Sequence, residues 1–231
     1  MEKIIAKIIA SPKYREAMRL IDEPTLGGKQ VHVSFNSLHG IAHAKHVMNY
    51  AVDFLRQMDA RPRDIELAKI AALTHDVALA DHDKTNHAQR SAEIVRQWLT
   101  EYDMAKADIN TICHAIAMHS RGEEINNLID AAILLGDKMD LTGDRLNLTR
   151  PRKGYDAMTE LLFLVDKVEF IIDKDVATLK YTVVSGFDTT LFRGWRKAVT
   201  IPAKVAKYLG KDFVIEIGDA RYSLDEMLQL L

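Results

Sequence analysis

The feature that most constrains the fold of this chain is an apolar stretch that carries two adjacent polar residues near its end. Residues 65–79 place apolar side chains almost all round a helix, which is the pattern of a central buried helix. His75 and Asp76 lie side by side in this stretch. An imidazole and a carboxylate are costly to bury without partners, so we expect the fold to supply compensating groups there. The stretch therefore predicts a helical core that contains a polar site.

The distribution of histidines indicates what those compensating groups are. Eight of the nine histidines lie between residues 39 and 119, and this clustering points to a metal site. In the helix that we predict from about Ser37 to Met58, His43 lies at the edge of the apolar stripe, whereas His39 and His46 point further away. His43 is therefore the histidine that we expect to face the core.

Four residues from three predicted helices form a candidate ligand set for one divalent ion. They offer nitrogen and oxygen atoms and leave open positions for water and substrate. The set is His43, His75, Asp76 and Asp137. Each residue taken alone has an ordinary alternative, either a satisfied core histidine or a solvated acidic residue. The four together favour metal binding.

Two more histidines allow a second ion. His87 and His119 lie on helices that we predict to face the core. If a single ion is bound by the four residues above, neither of these histidines serves as a ligand. A second ion bridged by Asp76 uses both, and we expect this arrangement. In the alternative, one ion is bound and the two histidines bind phosphate or stabilise the core. The sequence does not distinguish Mn, Fe, Co, Mg, Ni and Zn as the native metal.

Composition excludes several classes of protein. The net charge of −2, without a long basic run, gives no electrostatic basis for general nucleic-acid binding, although small anionic ligands stay open. Cys113 is the only cysteine, which excludes an intrachain disulfide and fits a reducing cytoplasm. Glu2, Lys3 and Lys7 make the N-terminus too charged for a signal peptide, and no apolar stretch reaches the roughly 20 residues that span a bilayer. We expect a cytoplasmic protein without membrane contact.

The pattern of the chain changes at about residue 165. Helical periodicity dominates before this point, and a hydrophobic content of 48% is sufficient for a core. Beyond it, Lys167–Ile172 and Val176–Val184 predict a hairpin, and Phe213–Ile217 predicts a further strand. A helix lies between them, and Pro202 should kink or break it.

We therefore predict a mainly α fold in two parts. Residues 1–165 form a helical domain that binds the metal and carries the activity, and residues 166–231 form a small ββαβ (α+β) subdomain. The second part contains none of the candidate ligands. We expect it to cover the helical body, shape substrate access or support assembly into a homo-oligomer.

Three stretches of the chain carry a family resemblance. They are His-Ala-Lys-His-Val from His43, Ala-Ala-Leu-Thr-His-Asp ending at Asp76, and Leu-Leu-Gly-Asp-Lys-Met-Asp around Asp137. In this order they resemble the HD domain superfamily of metal-dependent phosphohydrolases. The resemblance implies an all-helical core in which the four residues named above bind the metal. The stretches around His87 and His119 look like the additional histidine motifs of members with two metals.

A bound divalent ion makes hydrolysis of a phosphate ester the natural reaction, because it lowers the pKa of its water and polarises a phosphoryl oxygen. We expect His75 and Asp76 to be the catalytic residues, and the substrate to be a phosphomonoester or phosphodiester of a nucleotide or related small molecule. His119 lacks the continuation of the cyclic-di-nucleotide branch, which argues against cyclic-di-GMP. Three cations near candidate ligands are expected to bind substrate phosphate, with solvated surface charges as the alternative: Arg90, Arg121 and Lys138.

Two other functional classes stay open. One is an HD-type oxygenase in which two iron ions activate dioxygen, since six ligand candidates permit this chemistry without selecting it. The other is a noncatalytic module that senses a metal or nucleotide. A complete ligand set with open positions argues against the second class, because a pure binding scaffold has no need of them.

Overall fold

The computed structural model describes residues 2–22, 25–26, 29–30, 39–120, 124–146 and 157–231 of the chain. The chain separates into two compact units, Met1–Asp137 and Lys138–Leu231. The predicted domain boundary after residue 165 stays a prediction. Within the described ranges, none of the helices combines the length and the apolar character that crossing a bilayer requires.

The first unit is built mainly from helices. Their bounds are α1 (Glu2–Ala10), α2 (Pro12–Ile21), α3 (Ile41–Gln57), α4 (Pro62–Thr74), α5 (His87–Thr100), α6 (Lys106–Met118) and α7 (Leu128–Met139), the last of which continues into the second unit. Two short strands, β1 (Thr25–Leu26) and β2 (Lys29–Gln30), form an antiparallel pair. A 3-10 helix covers Val77–Asp81. The predicted helical core is confirmed.

α4 ends earlier than the sequence predicts. The apolar pattern predicts one helix as far as Leu79, but α4 ends just before His75, and Asp76 lies in the turn that leads into the 3-10 helix. The Ala78 backbone N–H donates to Ser91 Oγ at 3.1 Å, so a side chain of α5 replaces the carbonyl that a continued α-helix would offer. The two polar residues therefore stand at a helix end, where their side chains are not confined to one helical face.

Small residues let the central helices lie close to their neighbours. α4 packs against α3 and α6, and Ala71 and Ala72 on it are fully buried. On α7, a Cβ at Gly136 would lie 2.8 Å from the Val47 carbonyl oxygen of α3. That oxygen belongs to a helical backbone and cannot move aside as a flexible side chain can, so the close approach requires glycine. It also brings the next residue, Asp137, against α3.

The second unit contains the predicted α+β subdomain. Its helices and strands are α8 (Ala157–Leu164), β3 (Val165–Ile172), β4 (Val176–Val183), α9 (Lys197–Tyr208), β5 (Asp212–Ile217), β6 (Ala220–Ser223) and α10 (Leu224–Leu230), with 3-10 helices at Gly143–Arg145 and Thr189–Trp195. The sheet order is β3-β4-β5-β6, in which only the β4–β5 pair is parallel. The predicted hairpin, helix and strand are confirmed as β3, β4, α9 and β5. β6 and α10 extend the ββαβ prediction to ββαββα.

Local signals explain the two additional elements. Gly218, with φ of +57°, and Asp219 form the two-residue connection between β5 and β6, and such a Gly-Asp pair is typical of hairpins. Ser223 begins α10 with a capping box, since its Oγ accepts from the Glu226 N–H and the Glu226 carboxylate accepts from the Ser223 N–H.

α9 continues through Pro202, so of the predicted kink or break, the break is wrong. Pro202 lies inside the helix and has no N–H to donate to the Ala198 carbonyl four residues earlier. The hydroxyl of Tyr181 on β4 donates to that carbonyl oxygen at 2.8 Å. Both Tyr181 and Ala198 are fully buried, so this bond satisfies an acceptor that water does not reach. The helix continues because the sheet supplies the missing donor.

This arrangement predicts an energetic coupling between Tyr181 and Pro202. Tyr181→Phe should lower the free energy of unfolding by about 1 to 2 kcal/mol, because it leaves a buried carbonyl without a donor. In the Pro202→Ala background the loss should be smaller, since an alanine N–H at position 202 can bond the Ala198 carbonyl. Urea unfolding of the double-mutant cycle measures the difference. Equal losses in both backgrounds would contradict the coupling, and Tyr208→Phe on the exposed side of α9 serves as the control.

Candidate metal centre

The structure buries a cluster of histidines and aspartates at the C-terminal end of α4. His75 is the residue that follows α4, and it is fully buried, as are the side chains of His43 on α3 and His119 after α6. Asp76 and Asp137 are also buried. Four helices of the first unit, α3, α4, α6 and α7, therefore position polar side chains, on the helices or just after them, at one interior location.

One half of the cluster contains the four residues that the sequence predicts for the first ion. His43 Nε2 lies 3.3 Å from His75 Nε2 and 3.3 Å from Asp137 Oδ1. Asp76 Oδ2 lies 3.3 Å from His75 Nε2 and 3.9 Å from His43 Nε2. Ligand atoms at about 2.0 to 2.2 Å from one cation are separated by comparable distances. The geometry thus brings His43, His75 and Asp137 within reach of one ion and places Asp76 Oδ2 beside the two histidines.

The other half contains the two additional histidines. His87 Nε2 and His119 Nε2 are 3.2 Å apart. Asp76 Oδ1 lies 3.3 Å from His119 Nε2 and 3.5 Å from His87 Nε2. The two oxygens of Asp76 therefore face different sets of histidines, and this carboxylate lies between the two halves.

Backbone carbonyls determine which ring nitrogen carries the proton. His75 Nδ1 lies 2.8 Å from the Ala72 carbonyl oxygen, and His119 Nδ1 lies 2.6 Å from that of Ile116. His87 Nδ1 lies 3.1 Å from the carbonyl oxygen of Lys84. Because a carbonyl only accepts, each Nδ1 is the donor, and each neutral ring presents the lone pair of Nε2 to the cluster.

Those lone pairs test whether the site fits a cation. With Nδ1 protonated in both rings, His87 Nε2 and His119 Nε2 face each other as two acceptors. Asp76 Oδ1, the buried oxygen beside them, receives no hydrogen bond in the described part of the chain. Acceptors without donors are costly to bury, whereas a divalent cation satisfies all of them at once. The donor set of imidazole nitrogens and carboxylate oxygens therefore fits a divalent metal.

The charges of the cluster keep Asp76 ionised. Burial by itself raises the pKa of Asp76, but the neighbouring His75 and the hydrogen bond from His39 hold that pKa well below its usual range. Burial lowers the pKa of both His75 and His119; Asp76 and Asp137 outweigh this effect for His75, whose pKa is raised, whereas the pKa of His119 stays lowered. An ionised Asp76 beside a neutral His119 suits cation binding, because both ligands are already deprotonated.

His39 also reaches the cluster, although the sequence predicts that it points away. Its Nδ1 lies 3.3 Å from Asp76 Oδ2. The prediction assumed a helix from Ser37, whereas α3 begins at Ile41, so His39 precedes the helix and helical periodicity does not describe its direction. Its spacing of four residues from His43 was the one available signal.

The other histidines that the structure describes lie outside the His/Asp groups of this cluster. His114 Nδ1 pairs with Asp130 Oδ1 at 3.0 Å. His82 follows the 3-10 helix with φ of +60°, and His46 lies within α3. Neither belongs to the His/Asp groups that the described residues form. His32 lies outside the described residues.

The structure describes two of the three predicted phosphate-binding cations. Arg90 holds the loop before α5: its guanidinium donates to the Asp81 carboxylate and to the carbonyls of Asp83 and Thr85. Lys138 is buried, with Nζ 5.7 Å from the centre of the Trp195 ring. Arg121 lies outside the described residues. Phosphate binding by the three cations stays a prediction.

Comparison with known proteins follows the same residues. The sequence model of a family described as "HD domain" matches residues 40–168, more than half of the chain, and this range includes all six predicted metal ligands. Among solved structures, the chain is similar to a "predicted HD superfamily hydrolase" from an uncultured Thermotogales bacterium. The identity is 21%, the match covers 61% of this chain and 75% of that chain, and the TM-score is 0.42. No curated protein matches the chain.

The carbonyl contacts predict the tautomers of three histidines. In metal-free protein at alkaline pH, His75, His87 and His119 should carry their proton on Nδ1, because each Nδ1 donates to a carbonyl. Long-range proton–nitrogen NMR correlations of ¹⁵N-histidine protein distinguish the two tautomers, and the denatured chain gives the reference. Signals showing the proton on Nε2 in these rings would contradict the inward lone pairs.

Proposed function

The chain belongs to the HD domain family, and from this premise we propose that it is a metal-dependent phosphohydrolase. Its proposed substrate is a phosphomonoester or phosphodiester of a nucleotide or a related small molecule. The observation that carries the proposal is the position of Asp76, an ionised and buried carboxylate whose two oxygens face two separate sets of imidazole nitrogens. Burying several acceptors that face one another would destabilise a core that binds no cation.

The proposed ligands divide along the two oxygens of Asp76. His43, His75, Asp137 and Asp76 Oδ2 would hold one cation, and His87, His119 and Asp76 Oδ1 would hold a second. When bound, a divalent cation supplies a water of lowered pKa and polarises a phosphoryl oxygen as a Lewis acid. The ligands on helices α3 to α7 provide fixed positions, so the polar groups need little rearrangement before the reaction.

The chain's own residues orient the reaction. The side chain of His87 is 21% exposed, whereas those of His43 and His75 are fully buried, so solvent and substrate reach the cluster from the His87 side. Asp76 Oδ1 faces this side and keeps an acceptor position free of hydrogen bonds within the described residues. It can orient an attacking water by accepting a hydrogen bond, while the buried half of the site excludes further water.

Metal dependence is the first test of this proposal. Chelation should abolish phosphoesterase activity, and Mn²⁺ or Co²⁺ should restore it. Without a bound metal to lower the pKa of water, the site has no hydroxide at neutral pH. Asp76→Ala and His75→Ala should lower activity at least about 100-fold and remove most bound metal. Activity against a panel of nucleotides and phosphoesters, measured beside metal content, provides the readout.

Two histidine variants control for a general loss of structure. His46→Ala and His114→Ala should leave activity and metal content nearly unchanged, since His114 pairs with Asp130 and the ring of His46 lies outside the cluster around Asp76. Full activity of the metal-free protein would contradict the mechanism. Iron-dependent oxygen consumption without hydrolysis would replace it by the oxygenase alternative.

The number of ions is the second test. We propose two, because His87 and His119 lie beside the one Asp76 oxygen that is not shared with His75. Two-metal hydrolases hold their ions about 3.5 to 4 Å apart, which a bridging carboxylate permits. Fully loaded wild-type protein should contain two ions per chain by elemental analysis, and His87→Ala or His119→Ala should reduce the number to one. A loaded wild-type protein with one ion would contradict the two-metal arrangement and leave the hydrolase proposal standing.

A further inference from the structure

A segment hydrogen-bonded to Asp22, rather than a helix, places His39 beside the candidate metal centre. Asp22, which follows α2, accepts hydrogen bonds at Oδ1 from the backbone N–H groups of His39 and Gly40, both at 3.0 Å. A Cβ at Gly40 would lie 2.1 Å from Asp22 Oδ2 and 2.9 Å from the Met18 carbonyl oxygen. Only glycine permits this approach, so the end of α2 holds the residue before α3 in one position.

The ring of His39 uses this position to contact Asp76. His39 Nδ1 lies 3.3 Å from Asp76 Oδ2, and the ring meets the ring of His43 edge-on, with centroids 5.4 Å apart. A carboxylate that serves as a metal ligand only accepts hydrogen bonds, so Nδ1 is the donor of this contact. The contact involves Oδ2, the oxygen that faces His43 and His75, and leaves Oδ1 to His87 and His119.

A ligating carboxylate needs support from outside the ligand set. Each oxygen of Asp76 has two lone pairs, so Oδ2 can accept from His39 and still serve a cation. Without that bond, rotation of the carboxylate about its Cβ–Cγ bond would exchange the directions of the two oxygens. Hydrogen bonds to ligating groups commonly fix such orientations. His39 also lies one residue before the range that the HD domain model matches, so the family match does not include it.

We propose that His39 is a positioning residue: its Nδ1–H holds Asp76 Oδ2 toward His43, His75 and Asp137, and thereby directs Oδ1 to His87 and His119. This inference rests on the metal site of the proposed function. It assigns His39 no direct bond to the cation. The relevant property of His39 is therefore a donor at the Nδ1 position, which an asparagine amide can replace.

Three substitutions separate a donor from a ligand. The Asn side chain places an N–H near the position of imidazole Nδ1, whereas Gln places it near Nε2 and Ala removes it. We expect His39→Ala and His39→Gln to weaken Mn²⁺ binding by about 10- to 100-fold. His39→Asn should bind Mn²⁺ within a few-fold of wild type. Calorimetric titration of the metal-free full chain with Mn²⁺ measures the affinity, and circular dichroism confirms that each variant is folded.

The outcomes decide the proposal without any substrate. Equal weakening by Asn, Gln and Ala would show that the imidazole itself is required, as for a ligand, and would overturn the positioning role. Unchanged affinity in His39→Ala would overturn it as well. His46→Ala, on the neighbouring helix α3, is the matched control and should bind Mn²⁺ like wild type. A wild-type protein that binds Mn²⁺ but hydrolyses no phosphoester would overturn the proposed function and leave the comparison of His39 variants valid.

Discussion

The first unit depends on the burial of the Asp76 carboxylate among imidazole rings. Three of these rings direct their Nδ1 protons to backbone carbonyls rather than to the carboxylate. Asp76 lies at the end of α4, where it is surrounded by side chains from α3, α5 and α6. Three of the surrounding rings donate from Nδ1 to the carbonyls of their own local turns. The backbone carbonyls thus accept the Nδ1 protons of these rings, and the Nε2 acceptors face the interior of the site. Such an interior is unfavourable without a cation, so binding of the proposed ion would stabilise the fold as well as supply the chemistry.

The local backbone explains why the ligands stand where they do. His75 and His119 each follow the last residue of a helix, and each ring bonds the carbonyl three residues earlier. The last carbonyls of a helix lack helical partners, so a histidine in this position gains a hydrogen bond and a fixed tautomer together. His87 reproduces the pattern at the start of α5 with the carbonyl of Lys84. One simple local motif therefore prepares three of the predicted ligands.

The sequence predicts much of the site because its ligands are chemically distinctive and lie on strongly periodic helices. His43 faces inward from the apolar stripe of α3, and the His75-Asp76 pair is conspicuous in an apolar stretch. His39 escapes prediction because a helical wheel describes only residues inside a helix, and α3 begins two residues later. In the second unit, Pro202 suggests a break because the donor that replaces its N–H comes from Tyr181, on a different element. Both misinterpretations concern tertiary contacts that no local pattern contains.

Gly136 sets the packing distance between α3 and α7, and this distance positions two of the proposed metal ligands. The Val47 carbonyl oxygen on α3 faces Gly136 and limits how closely α7 approaches α3. Near this contact, α3 carries His43 and α7 carries Asp137. The separation of these two ligands therefore depends on the distance between two helix axes rather than on side-chain flexibility. Cations differ in radius by tenths of an ångström, and a cavity of fixed size discriminates between them where a flexible one does not. Size selectivity at the proposed metal site would therefore depend partly on a residue that contacts no ion.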